Sequence, residues 1–225
     1  MEAAPRLVAV REPTDAVGVV VVLHGGASRG DRVMVSPTQL SVLRMIPTAR
    51  AVARAGRGRL AVYRLLNSYR GWDSHHTPVA DTDWAIDRLR ETYADLPVGL
   101  VGHSLGGRAA IAAGDNPAVR SVVALNPWLY HDDAADLAGR RVLFVHGGRD
   151  RIASPARAEA VARRLSRTTD VGFIAIPDGK HAMLSHGRDF DSYAAQFTAA
   201  VLLDDDSRAT GPVARVLAGE AWVTV

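Results

Sequence analysis

The chain has 225 residues, 48% of them apolar, a formal net charge of +3 and no cysteine. Disulfides, thiolate nucleophiles and cysteine-ligated metals are thereby excluded, and a chain of this length can bury one substantial core. Nearly every base is arginine, Lys180 being the only lysine, and the arginines alternate with acids, as in Asp87-Arg88-Leu89-Arg90-Glu91, which argues against nucleic acid as a partner.

Residues 1 to 15 mix charges and prolines with short apolar pieces, of which Leu7 to Val10 is long enough for a strand. No run in the chain approaches the ~20 apolar residues that span a bilayer, so a cytoplasmic protein with no membrane span is expected. Val17 to Leu23 is apolar at successive positions, as in a parallel strand covered on both faces, and ends at His24-Gly25-Gly26. Pro37 to Ala55 has helical periodicity with a kink or break expected at Pro47, and Gly56 and Gly58 close it. Leu60 to Leu66 reads as a strand. A polar loop follows from Asn67 to Thr77, and Pro78 to Tyr93 reads as a helix with Trp84, Ile86 and Leu89 toward the core.

Gly99 to Val101 is the next strand, feeding Gly102-His103-Ser104-Leu105-Gly106-Gly107 and then a helix from Arg108 to Ala113. Val119 to Leu125 and Arg141 to Val145 are strands joined by only about fifteen residues, near the minimum for a crossover. Helix Pro155 to Leu165, strand Val171 to Ile176 and helix Phe190 to Leu203 complete the alternation, with Asp204 to Asp206 ending the last helix. This order predicts an α/β fold with a doubly wound, mostly parallel sheet flanked by helices. The domain is expected to span residues 1 to 206. Residues 207 to 225 form a tail whose Ala221 to Val225 is an edge strand, a homodimer contact or a loose end.

In an open parallel sheet, functional groups gather beyond the carboxyl ends of the strands. Ser104 lies on a strand-turn-helix elbow between Gly102 and Gly106, whose missing side chains let the backbone take strained angles while the hydroxyl projects. The G-x-S-x-G pattern by itself is weak; its strand-before, helix-after setting gives it weight. A hydroxyl needs a base to act as a nucleophile. His181, after the last strand, fits that role and His186 is the alternative; Asp150 is the candidate to orient the imidazole, with Asp178, Asp132 and Asp133 competing.

The chain order Ser104, Asp150, His181 resembles that of the α/β-hydrolase superfamily, and more narrowly small cap-less serine hydrolases similar to dienelactone hydrolase and minimal carboxylesterases. The resemblance covers about Val17 to Leu203. It is carried by His24-Gly25-Gly26, Gly102 to Gly107, His146-Gly147-Gly148-Arg149-Asp150 and Gly179-Lys180-His181. It implies an oxyanion hole made by the backbone NH of Leu105 and that of Gly26, with Ala27 second. It also implies a serine esterase or thioesterase with a small-molecule substrate and no cofactor. Two departures stand out: the amino-terminal edge of the sheet is trimmed to Leu7–Val10, and dienelactone enzymes carry cysteine where this chain has Ser104. The link from Asn126 to Arg141 leaves no room for a cap, so an open, shallow site is implied. The same three side chains would serve an acyltransferase or perhydrolase, and the fold also occurs in non-catalytic ligand receptors.

His24, His103 and His146 adjoin strand ends and are expected to shape the loops through hydrogen bonds. His75 and His76 have no acidic pair at ligand spacing, so no metal is expected. Trp72, Trp128 and Tyr130, with Tyr69, are candidates to line the pocket; Arg70 and Arg149 are candidates for a substrate carboxylate, and Tyr193 and Phe197 read as core.

Overall fold

The computed structural model describes residues 3–26, 33–133 and 135–225. Ala27, the second candidate for the oxyanion hole, lies outside the described residues. Eight strands form one sheet: β1 (Arg6–Arg11), β2 (Gly18–Leu23), β3 (Leu60–Leu66), β4 (Val98–His103), β5 (Val119–Leu125), β6 (Arg141–Gly147), β7 (Asp170–Ile176) and β8 (Trp222–Thr224). Their order is β1-β3-β2-β4-β5-β6-β7-β8, with only β1 antiparallel to its neighbour. β2 and β4 are buried at every position, because helices cover both faces of a parallel sheet and leave no side for polar residues.

The helices are α1 (Leu40–Ala55), α2 (Thr77–Tyr93), α3 (Leu105–Ala112), α4 (Pro155–Leu165), α5 (Gly187–Leu202) and α6 (Gly211–Leu217). α1 and α5 share one core with the face of the sheet bearing Val20, Val62, Val101 and Val145. On the other face Ile86, Leu89, Ala110, Val161 and Leu165 pack against Val21, Leu100, Val122 and Phe144. Helix α1 is unbroken at Pro47, which is exposed, so the break that Pro47 could have made does not occur. Trp84 is 39% exposed instead of facing the core. The buried stripe of α2 is Thr82, Ala85, Ile86 and Leu89, and at about 100° per residue Trp84 falls on the opposite side of the helix.

The carboxyl-terminal segment takes the edge-strand form: β8 pairs parallel with β7 through Phe173, Ile174 and Ala175. Glycine makes this possible. A Cβ on Gly172 would collide with Val216 of α6, so the missing side chain lets α6 close against β7 with Val213 and Val223 buried. The described residues of the link between β5 and β6 form no helix; Leu129 and Leu137 anchor it in the core, and Arg157 and Arg164 of α4 donate to the carbonyls of Leu129 and His131.

Candidate active site

Ser104 sits between β4 and α3 with φ 57° and ψ −118°, a conformation that non-glycine residues rarely adopt. Two close approaches enforce it. A Cβ on Gly102 would strike the backbone of Gly106, and one on Gly106 would lie 2.6 Å from the carbonyl oxygens of Leu23 and His24. The Ser104 NH donates to the Leu125 carbonyl at 3.0 Å, and its own carbonyl accepts from Arg108 and Trp128, each at 3.1 Å. The turn is held from both sides while the hydroxyl projects past the end of β4.

The Ser104 Oγ lies 3.0 Å from His181 Nε2, and His181 Nδ1 lies 2.8 Å from Asp150 Oδ2. The other Asp150 oxygen accepts from the NH groups of Ile152 and Ala153 at 2.8 and 2.9 Å. Burial would raise the Asp150 carboxyl; the bond from His181 and those two backbone donors outweigh it and hold the group below its ordinary value. An ionised carboxylate at Nδ1 selects the tautomer in which Nε2 carries the lone pair facing the serine.

Other elements fix this line of contacts. Asn126, at φ 42° just after β5, accepts from the Gly147 NH at 2.8 Å and donates to the carbonyls of Lys180 and His181 at 3.1 and 3.2 Å. It ties the ends of three strands together. His103 Nε2 donates to the His181 carbonyl at 2.8 Å; burial first, then the neighbouring His181, lowers its pKa to about 3, so the ring is neutral. His146 lies behind Asp150 with its pKa lowered by burial to about 4. His24, also pushed down by burial, donates through Nδ1 to the Gly25 carbonyl at 2.6 Å and accepts from the Asn67 NH at 3.2 Å. It thereby joins the glycine loop to the loop after β3.

The other candidates are engaged elsewhere. His186 bonds Asp189 at the start of α5, Asp178 pairs with Arg149 on the surface, and Asp133 pairs with Arg108. Arg70 contributes backbone only: its carbonyl lies where a Cβ on Gly26 would stand. Exposed His75 and His76 adjoin the start of α2, and no group of three or more His, Asp or Glu able to hold a metal occurs among the described residues. Tyr193 and Phe197 pack in the core around α5.

A cleft of about 870 Å³ opens over Ser104 and His181, bounded by Gly25, Gly26, Leu105 and Trp128. It is larger than the shallow site expected, because α1 and the 182–188 segment raise walls on which Leu40 and Leu184 are 84% and 81% exposed. Trp72 and Tyr130 do not line it. Their rings lie 3.9 and 4.6 Å from the Arg108 guanidinium carbon and cover it instead, whereas Trp128, 5.9 Å from the same carbon, also lines the cleft as expected. Sequence reasoning also missed the far wall. Arg44 of α1 donates to the Ala182 and Met183 carbonyls and to Asp191 of α5, which also accepts from Thr48 at 2.6 Å.

No protein-family model matches the chain, and no curated protein matches it at a significant level. Solved structures do resemble it. Est1E from Butyrivibrio proteoclasticus, solved with bound ferulic acid, aligns with TM-score 0.65 and 13% identity over 88% of this chain and 96% of its own. XC6422 from Xanthomonas campestris, described as an a/b serine hydrolase without lid, aligns with TM-score 0.65 and 18% identity over 87% of each chain. An alpha-beta serine hydrolase homologue from Coxiella burnetii aligns with TM-score 0.64 and 16% identity over 85% of this chain and 90% of its own. The chain has the α/β-hydrolase fold. Among the described residues no cap interrupts the sheet after β5, and β1 is the one antiparallel strand. The missed residues, Arg44, Thr48, Asn126 and Asp191, had one weak signal among them: an Asn-Pro pair directly after a strand.

Proposed function

We propose that this α/β-hydrolase-fold protein is a cytoplasmic serine hydrolase that cleaves carboxylic esters or thioesters through an acyl-enzyme on Ser104. The observation that carries the reading is the unbroken line of contacts from Ser104 through His181 to Asp150, at 3.0 and 2.8 Å. Ser104 Oγ attacks the acyl carbon as His181 Nε2 takes its proton, and Asp150 steadies the resulting imidazolium. The carbonyl π electrons move onto oxygen. That oxyanion is received by the NH of Leu105, at the first turn of α3 where helical NH groups lack internal partners, and by the NH of Gly26. Collapse breaks the bond to the alcohol or thiol, which leaves with the proton from His181. Water then repeats both steps on the acyl-enzyme and restores Ser104.

The test is covalent. The purified chain should label with a fluorophosphonate probe and hydrolyse p-nitrophenyl esters, and Ser104→Ala should abolish labelling and lower turnover by about 10⁴ or more while unfolding at the same urea concentration. Retention of ester hydrolysis in Ser104→Ala overturns the assignment.

A further inference from the structure

The wall between α1 and α5 continues past the cleft into a second cavity of about 610 Å³, which shares Pro47, Arg188 and Asp191 with the first. The same face of α1 lines both: Leu40, Leu43, Arg44 and Pro47 bound the cleft, and Arg50 and Arg54 follow at helical spacing in the second cavity. At about 1.5 Å of rise per residue, Arg50 and Arg54 lie roughly 5 and 10 Å further along the helix than Pro47.

Three guanidinium groups therefore face a cavity with a single carboxylate, Asp191, already paired with Arg44. Among the described residues, Arg50, Arg54 and Arg188 have no ion pair, and all three are exposed. Helix electrostatics accounts for only one of them. Arg54 is in the last turn of α1, where a cation is favoured, but Arg188 is in the first turn of α5, where the helix end already carries positive partial charge. Arg50, mid-helix, gains nothing from either end.

We propose that this cavity is an anion subsite of the substrate cleft, in which Arg50, Arg54 and Arg188 hold an oxyanion group, carboxylate or phosphate, at the end of the substrate remote from the scissile carbonyl. The preferred substrates are then esters whose apolar part fills the cleft and whose far end is negatively charged. Planar guanidinium forks suit both anions, and crowding like charges beside an apolar cleft gains most when an anion neutralises them. This inference rests on hydrolysis at Ser104, and the test separates the two.

The test compares p-nitrophenyl esters of matched length ending in methyl, carboxylate or phosphate, using the full chain. The ratio of kcat/KM for a charged ester over its neutral match should be about tenfold or more, fall toward one with added salt, and invert in Arg50→Glu/Arg54→Glu. The carboxylate and phosphate arms identify which anion is preferred. Ratios near one at low salt, with the neutral ester cleaved, overturn the subsite and leave the hydrolase reading standing. Calorimetric titration of Ser104→Ala with the free dicarboxylic acid and with the ω-phosphorylated acid reads the subsite without turnover. Binding of either that is lost in Arg50→Glu/Arg54→Glu supports the subsite even if no ester is cleaved, and binding of neither overturns it.

Discussion

The two flanks of Ser104 use the same kinds of residues to opposite ends. On one flank Arg108 is enclosed by Trp72, Trp128 and Tyr130 and paired with Asp133 at 2.6 Å, and the space is filled. On the other, Arg44 reaches the 182–183 carbonyls and Asp191 at the edge of a wide cleft, and the apolar side chains around it stay exposed. An arginine closes a flank when rings cover its faces; it holds a flank open when its donors are used on the wall itself. Aromatic residues on rim loops are therefore poor guides to a pocket until the location of the nearest cation is known.

The largest effect is expected from acid. His103 and His146 stay neutral in the fold down to about 3 and about 4, whereas unfolding returns them to 6.5. Below 6.5 the unfolded chain binds more protons, so stability falls as pH drops, by about 1.4 kcal/mol per pH unit for each histidine. His103 lines the open cleft, whereas His146 packs behind Asp150 against the Ala153 carbonyl. Urea unfolding near pH 7 and about pH 5 should show this loss, to which buried His24 adds in the same direction, and His146→Gln should make the slope shallower by about 1.4 kcal/mol per pH unit; an unchanged slope in the variant would contradict the burial argument.

Arg108→Ala tests the closed flank. It leaves Asp133 without its partner and three rings without their filling, and should cost about 3 kcal/mol in urea unfolding. A cost under about 1 kcal/mol would mean that the rings pack adequately without the cation. Arg44→Ala tests the open one. By releasing the segment next to His181 it should lower kcat about tenfold with KM nearly constant, since the loss falls on proton transfer and not on ground-state binding. The smallest effect is expected from Leu184→Ser, which should leave stability within about 0.5 kcal/mol and raise KM a few-fold for apolar esters alone.

Much of this was legible in order along the chain. The run of apolar residues ending at His24, the glycines around Ser104 and the polar ends at Asp150 and His181 each report a local constraint: a strand buried on both sides, a turn too tight for a Cβ, a loop beyond a strand end. Helix α6 was not legible, because Val213 and Val216 are too sparse to signal a helix until Gly172 is seen to receive it, and the edge strand around Val223 was one of three readings of the segment.

The sequence by itself determined the sheet, the elbow and the meeting of Ser104, Asp150 and His181, since strand order and local backbone sterics bring those three to one edge. Only the tertiary structure decided which flank is open, that Arg108 takes the place expected for substrate beside Trp72 and Tyr130, and that α1 and α5 build the far wall with Arg44, Thr48 and Asp191. Those contacts join positions up to 147 residues apart, as in Arg44 with Asp191, and no local pattern records which faces of two distant helices will meet.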